Sequence, residues 1–247
     1  KPMDKVVSWR EGRIESNSNP ERISGKNAGM AVRFKTEKDE KVMLKVAISY
    51  VSVEQARKNM LAELPGWDFE QVKQSSFSEW NDWLGRIEVE GGSREQQIKL
   101  YTDLWHALLG RHVVSDADGH YMDMTSDFPR IRQIPLGEDG KPLYNHHNFD
   151  AWWGSHWSLN ILWSMAYPEV MDNFCNTMID MYQNGGLIPR GPSGGNYTYV
   201  MIGDPAVSFF ASAYNKGICN YDAELPYEGL RKNAFVGGIR DHAGYEH

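Results

Sequence analysis

From Val42 to Tyr50 every second residue is apolar: Val42, Leu44, Val46, Ile48 and Tyr50, with Lys45 and Ser49 among the residues between. Successive side chains of a strand point to opposite faces, so this period of two predicts a half-buried β-strand. Met30 to Phe34 alternates in the same way and predicts another. The stretch 10–28, rich in Asn, Ser, Gly and Glu, reads as loop or hairpin connection. A few strands without further partners do not make a stable sheet. Residues 1–51 therefore read as the end of a larger β-domain.

At Ser52 the period changes. Ser52-Val53-Glu54-Gln55 fits a capping box, in which the Ser hydroxyl accepts from the third amide of the helix and Gln reaches back to the cap. This helix runs to about Leu64 and stops before Pro65-Gly66, and a second spans about Asp68 to Leu84, with Phe69, Val72 and Trp80 or Trp83 on one face. Arg86 to Glu90 alternates briefly before Gly91-Gly92, so 52–92 is predicted to be a helical linker between domains. From 93 onward the pattern is helical throughout. Ser93-Arg94-Glu95-Gln96 is a second capping box, followed by a stripe of Ile98, Tyr101, Leu104 or Trp105, and Leu108. Further helices are predicted over Ser155–Ala166, from Pro168 to Gly185 (stripe Val170, Phe174, Met178, Met181), from Asp204-Pro205 to Gly217, and from Asp222 to about Phe235.

The connections between these helices alternate long and short. If successive helices run antiparallel, every second connection lies at the same end. The prediction is that 113–154 and 186–203 share one rim, with 166–168 and 217–222 on the opposite one, as in an α/α toroid that carries a binding face opposite a structural face. An irregular helical domain with two insertions has the same pattern.

Composition narrows the function. A formal charge of -7 and a pI near 5.6 leave no electrostatic footprint for nucleic acid or an anionic membrane. The strongest basic pair, Arg231-Lys232, is diluted by Glu228 and Asp241. No apolar run approaches the roughly 18 residues of a membrane-spanning helix, and nothing after Lys1-Pro2-Met3-Asp4 reads as a leader. With only Cys175 and Cys219 there is no disulfide framework to read, and Cys175 falls on the apolar face of a helix as a small core residue. Nine Trp and twelve Tyr, crowded into 144–167 and 197–214, make either a large core or a stacking surface for sugars or bases.

The richest constellation is Asn145-His146-His147-Asn148-Phe149-Asp150-Ala151-Trp152-Trp153-Gly154-Ser155-His156-Trp157. Indole faces stack on the C–H side of a pyranose, while imidazole and carboxylate groups bond its hydroxyls. Trp152, Trp153, His156 and Asp150 are therefore candidate substrate contacts, against the plainer reading of aromatic packing at a loop–helix junction. A zinc site from His146, His147 and His156 is weighed and set aside, since adjacent histidines in a strand-like segment point apart and no helical pair supports them. Gly185 to Tyr197 is glycine-rich without the Lys-Ser/Thr of a phosphate loop, which leaves Arg190 as a candidate for a hydroxyl or phosphate. Asp116-Ala117-Asp118-Gly119 echoes a calcium loop but has no closing Glu, so it reads as a turn. Asp116, Asp118, Asp123, Asp127 and Asp150 offer no spacing that singles out an acid–base pair.

Several segments carry a resemblance to glycoside hydrolase family 92. They are Ala47-Ile48-Ser49-Tyr50-Val51-Ser52-Val53-Glu54-Gln55-Ala56-Arg57-Lys58-Asn59, Trp80-Asn81-Asp82-Trp83-Leu84-Gly85-Arg86-Ile87-Glu88-Val89, Leu100-Tyr101-Thr102-Asp103-Leu104-Trp105-His106, and Met201-Ile202-Gly203-Asp204-Pro205-Ala206 through Ala213-Tyr214-Asn215-Lys216-Gly217-Ile218. Their order and spacing over most of the chain make the likeness far more specific than one motif. It implies a multidomain β + α protein: the end of an N-terminal β-sandwich (1–51), a helical linker (52–92), and the first helices of an (α/α)6 barrel (93–247), truncated here. It further implies an inverting exo-α-mannosidase that removes terminal mannose from glycans with the help of Ca2+, secreted, periplasmic or held at the cell surface. The catalytic Glu and Asp are expected beyond residue 247, and no residue here is assigned to the metal. Trp153 falls at the family's sugar-contact position. Where many relatives read Trp-Asp-Thr-aromatic-Arg, however, this chain has Trp153-Gly154-Ser155-His156-Trp157, without the Asp and Arg. A glycan-binding member without activity, or another α/α-toroid carbohydrate enzyme such as a polysaccharide lyase, is the alternative.

Overall fold

The computed structural model describes residues 3–15, 23–110, 112–149 and 152–242. The chain divides into two compact units, Lys1–Val46 and Ala47–His247.

The first unit holds an antiparallel sheet of β1 (Lys5–Arg10), β2 (Arg13–Glu15) and β3 (Gly29–Arg33) in the order β2-β1-β3. Trp9 pairs with Ile14 on one side and Gly29 on the other. A Cβ on Gly29 would come within 2.2 Å of the Trp9 ring, so only glycine lets the indole lie across the neighbouring backbone. The strand predicted at Met30–Phe34 is β3, shifted by one residue. Part of 10–28 is the β1–β2 hairpin and the approach to β3, while 16–22 lies outside the described residues.

The strand predicted over 42–50 is not formed. The segment has no ladder partner among the described residues, and Leu44, Val46, Ile48 and Tyr50 are all well exposed, Leu44 by 83%. Alternation specifies a face to be covered, whereas a ladder requires a second backbone alongside.

The second unit opens with α1 (Val53–Glu63), α2 (Phe69–Leu84) and α3 (Arg94–Leu109). Ser52 caps α1 by accepting from the Gln55 amide at 3.1 Å. Gln55 does not reach back, however: its side chain donates to Asp118 at 2.9 and 3.1 Å. At Ser93 both halves of the capping box are made. In the 52–92 stretch α1 and α2 belong to the same compact unit as the later helices, tied in by Arg86, which donates to the Ala166 carbonyl at 3.0 Å and pairs with Glu169. Of the α3 stripe, Leu104 and Leu108 are buried and Ile98 is exposed. The following connection carries two small antiparallel pairs, β4 (His112–Val113) with β7 (His147–Asn148), and β5 (His120–Asp123) with β6 (Arg130–Gln133). A 3-10 turn at Ser155–Trp157 leads into α4 (Leu159–Ala166), followed by α5 (Pro168–Gly185), α6 (Ala206–Asn215) and α7 (Glu224–Asn233).

α5 is the centre of the unit. Its apolar stripe is buried as expected, with Cys175 among it, and the rings of Trp152, Trp163, Phe149 and Phe209 close around Phe174 at 4.7 to 6.4 Å. Three of its inward polar residues, the buried Asp172 and Thr177 and the half-buried Asp180, each fasten a connection. Thr177 accepts from the His147 amide, Asp172 from the Asn220 amide, and Asp180 from the Tyr144 hydroxyl.

The connections sort by end as their alternation requires. The two long ones meet: Met124 N donates to Gly195 O, Gly194 N to the Asn148 side chain, and Trp152 N to Arg190 O. The short ones lie elsewhere: Lys216 at the end of α6 donates to Ser164 in the last turn of α4, and Asn220 of the 217–222 connection to Asp172 in the first turns of α5.

Candidate functional site

The long connections enclose a cavity of about 380 Å³ lined by Tyr50, Val114, Met122, Met124, Pro129, Asn148 and the Gly194-Gly195 backbone. Its walls are mostly apolar, and the Asn148 amide and glycine peptides supply polar edges.

The candidate residues fall into two sets. Gly154 turns the chain at φ +81°, a left-handed conformation that glycine adopts without strain. On either side of that turn Trp153 and Trp157 stand 64% and 69% exposed. His156 is exposed beside Trp157, their ring centroids 3.9 Å apart. Two exposed indoles, one of them packed against an imidazole, on a short, braced turn form a surface suited to a sugar ring.

Trp152 and Arg190, by contrast, are inside. Trp152 has no exposed surface; it stacks on Phe209 at 4.1 Å and on Phe149 at 4.8 Å, and its Nε1 donates to the Met178 sulfur. It is a core residue and offers no face to a ligand. Arg190 is also fully buried, and its guanidinium donates to the carbonyls of Gly203 (2.8 Å), Ile239 (2.7 Å) and His242 (2.6 Å). It fastens the 186–205 connection to the 239–242 segment rather than facing a hydroxyl or phosphate. Beside it Asp204 accepts from Asn233, with burial pushing its carboxyl up. Asp150 lies outside the described residues.

The histidines point apart. His146 stacks on Tyr121 and His147 on Phe174. The acidic turn at 116–119 is occupied by protein. Asp116 accepts from Ser49 and Asn59, and Asp118 accepts from Gln55, Lys58 and His120. Burial works against the Asp118 charge, but these donors together hold its carboxyl well below the usual range. Among the described residues no three His, Cys, Asp or Glu side chains gather as a metal site. No described helix is long and apolar enough to cross a membrane.

Sequence reasoning did not find the Met122–Met124–Pro129 wall or the bracing role of Asn148. Their pattern is that of an ordinary loop, and only the meeting of the two connections gives them a role.

The model of the glycosyl hydrolase family 92 catalytic domain matches residues 55–246. The chain belongs to glycoside hydrolase family 92. An uncharacterized secreted glycosidase of Arthroderma benhamiae is 26% identical over 214 residues, covering 85% of this family 92 chain and 22% of that protein. A family 92 inverting mannosidase from Bacteroides thetaiotaomicron superimposes with a TM-score of 0.74 at 21% identity, over 94% of this chain and 30% of that one. A second family 92 α-mannosidase from that organism gives 0.75 at 22% identity, over 93% and 31%. Its complex with mannoimidazole gives 0.75 at 21% identity, over 99% and 31%. At these identities the structural likeness establishes a shared fold of mixed helix and strand, and the family 92 chain spans about a third of its solved relatives.

Proposed function

We propose that these residues belong to a calcium-assisted, inverting exo-α-mannosidase that removes terminal α-linked mannose from glycans. The family match over 55–246 carries this reading. Mannosidase structures of the same fold support the sugar, and the secreted relative supports a secreted or surface location. In this reading the first unit is the end of a β-sandwich and α3 to α7 begin an (α/α)6 barrel. The exposed faces of Trp153 and Trp157 stack on the pyranose, and His156 bonds a hydroxyl.

An inverting pair of carboxyls must stand about 6.5–9.5 Å apart around a water. We assign that pair to segments beyond residue 247. The donor sets described here do not fit a calcium ion, because the carboxylates of the 116–119 turn are already engaged by side-chain donors. The metal would be held elsewhere in the protein.

The test uses the complete protein. It should release mannose from α-mannosides as the β-anomer, lose activity in EDTA and regain it with calcium. An α-anomer as first product would end the inverting claim, and full activity in excess chelator the calcium claim. One feature favours a second reading, glycan binding without hydrolysis: Gly154 stands where the resemblance to family 92 leads one to expect Asp. Saturable mannoside binding with no release of sugar would establish it.

A further inference from the structure

Three groups that the proposed chemistry does not use meet between α5 and the connection 112–149. The Tyr144 hydroxyl donates to both oxygens of Asp180, at 2.9 and 3.0 Å. His146, almost fully buried, lies face to face with Tyr121, the centroids 4.1 Å apart. Its Nε2 stands 3.9 Å from Asp180 Oδ2, and neither of its ring nitrogens has a hydrogen-bond partner among the described residues.

The charged groups around this cluster are committed to one another. Asp123 is held by Arg130 at 2.7 Å and by Arg132 at 3.5 Å. Arg130 also donates to the Asn184 carbonyl at 2.9 Å, and the Asn184 amide donates to the Tyr121 hydroxyl at 3.0 Å. His147, on the far side of the strand, faces Phe174 and Asn173. No arginine or lysine among the described residues is paired with Asp180, and the Asp123 carboxylate adds like-charge repulsion.

The Asp180 side chain keeps 14% of its surface exposed, and an ionised carboxylate here would have one hydroxyl donor among the described residues, where a mostly buried charge requires several. Transfer of its proton to His146 would create a buried ion pair at 3.9 Å, whose desolvation cost exceeds the Coulomb gain unless further hydrogen bonds support it. The nitrogens of His146 have none among the described residues. The neutral arrangement of both groups is therefore favoured.

We propose that Asp180 is a positioning residue, kept as a neutral acid beside the neutral His146 imidazole, that fastens the 112–149 connection to α5 through Tyr144 and destabilises that junction when it ionises, because the charge then lies mostly buried without a paired cation among the described residues. Burial, which pushes the carboxyl up to about 7 and His146 down to about 3, agrees with two neutral partners. Because the folded value lies above the ordinary 3.8, the stabilisation is complete below about pH 4 and is lost as pH rises through about 7.

The test compares the complete protein with its Asp180→Asn variant between pH 5 and 8.5, following hydrogen exchange over 120–148 and Tm. The natural protein should lose protection in that connection across pH 6 to 8, and Asp180→Asn should show no such step. An amide keeps the acceptor for Tyr144 and cannot ionise, so the variant should also melt higher than the natural protein at pH 8. A flat profile in the natural protein would overturn the proposal. So would an Asp180→Asn variant that fails to fold or exchanges faster at every pH, since either result means that the carboxylate charge itself is needed. Neither readout depends on hydrolysis, so the outcome stands apart from the mannosidase reading.

Discussion

Trp152 and Trp153 are neighbours in sequence with opposite fates. The first is sealed against Phe209 and Phe149, while the second stands in solvent beside the turn at Gly154. Alanine in place of Trp153 should lower kcat/KM for mannosides at least about tenfold, about 1.4 kcal/mol, with Tm nearly unchanged. Stacking on an aromatic face is worth about 1–3 kcal/mol by analogy with bases. Alanine in place of Trp152 should instead cost about 3–5 kcal/mol of stability and leave the folded fraction with ordinary kinetics. A fall in Tm from the first or unchanged Tm from the second would reverse the assignment. Arg190→Ala should destabilise by at least about 2 kcal/mol by leaving the buried Ile239 carbonyl, and the partly screened Gly203 and His242 carbonyls, without this donor, which denaturant unfolding would measure. The sequence showed that this region was aromatic and basic. It did not show which side chain pointed where, because that choice rests on one left-handed glycine and on the rings of distant helices.

At the scale of the element, local chemistry was readable wherever it acts within a few residues. Ser52 and Ser93 cap their helices and Pro168 opens α5 as expected, while α2 starts one residue after its Asp68 cap and α5 closes at Gly186, one residue beyond the expected Gly185, with a left-handed turn. Replacing Ser93 with Ala should cost about 0.5–2 kcal/mol, seen as faster exchange in the first turn of α3. What was not legible depended on long-range partners: Gln55 turning from its cap to Asp118, and the 42–50 alternation that lacks a second strand. Asp118 gives a pH test of the former. Its carboxyl is held below the usual range, so its contribution to fastening α1 is present above about pH 4 and lost as pH falls below it. Asp118→Asn should speed α1 exchange at pH 7, and the natural protein should approach the variant on acidification.

At the scale of the whole molecule, the alternation of long and short connections revealed how the helices reverse, since chain direction follows from counting. The neighbours still to be covered did not emerge from it. Phe69 and Phe77 on α2 are exposed, and α6 and α7 leave a groove of about 410 Å³ lined by Val207, Phe210, Tyr214, Tyr227 and Leu230. Residues 1–247 made alone should therefore self-associate, bind a hydrophobic dye and release no mannose. A monomer by light scattering at micromolar concentration, without dye binding, would contradict that. The links Asn148–Gly194, Trp152–Arg190 and Met124–Gly195 have a bearing on engineering as well. A loop transplanted from a relative into 112–155 would arrive without its counterpart in 186–205. The two must be exchanged as a matched pair, and chimaeras carrying one alone should behave worse than either parent.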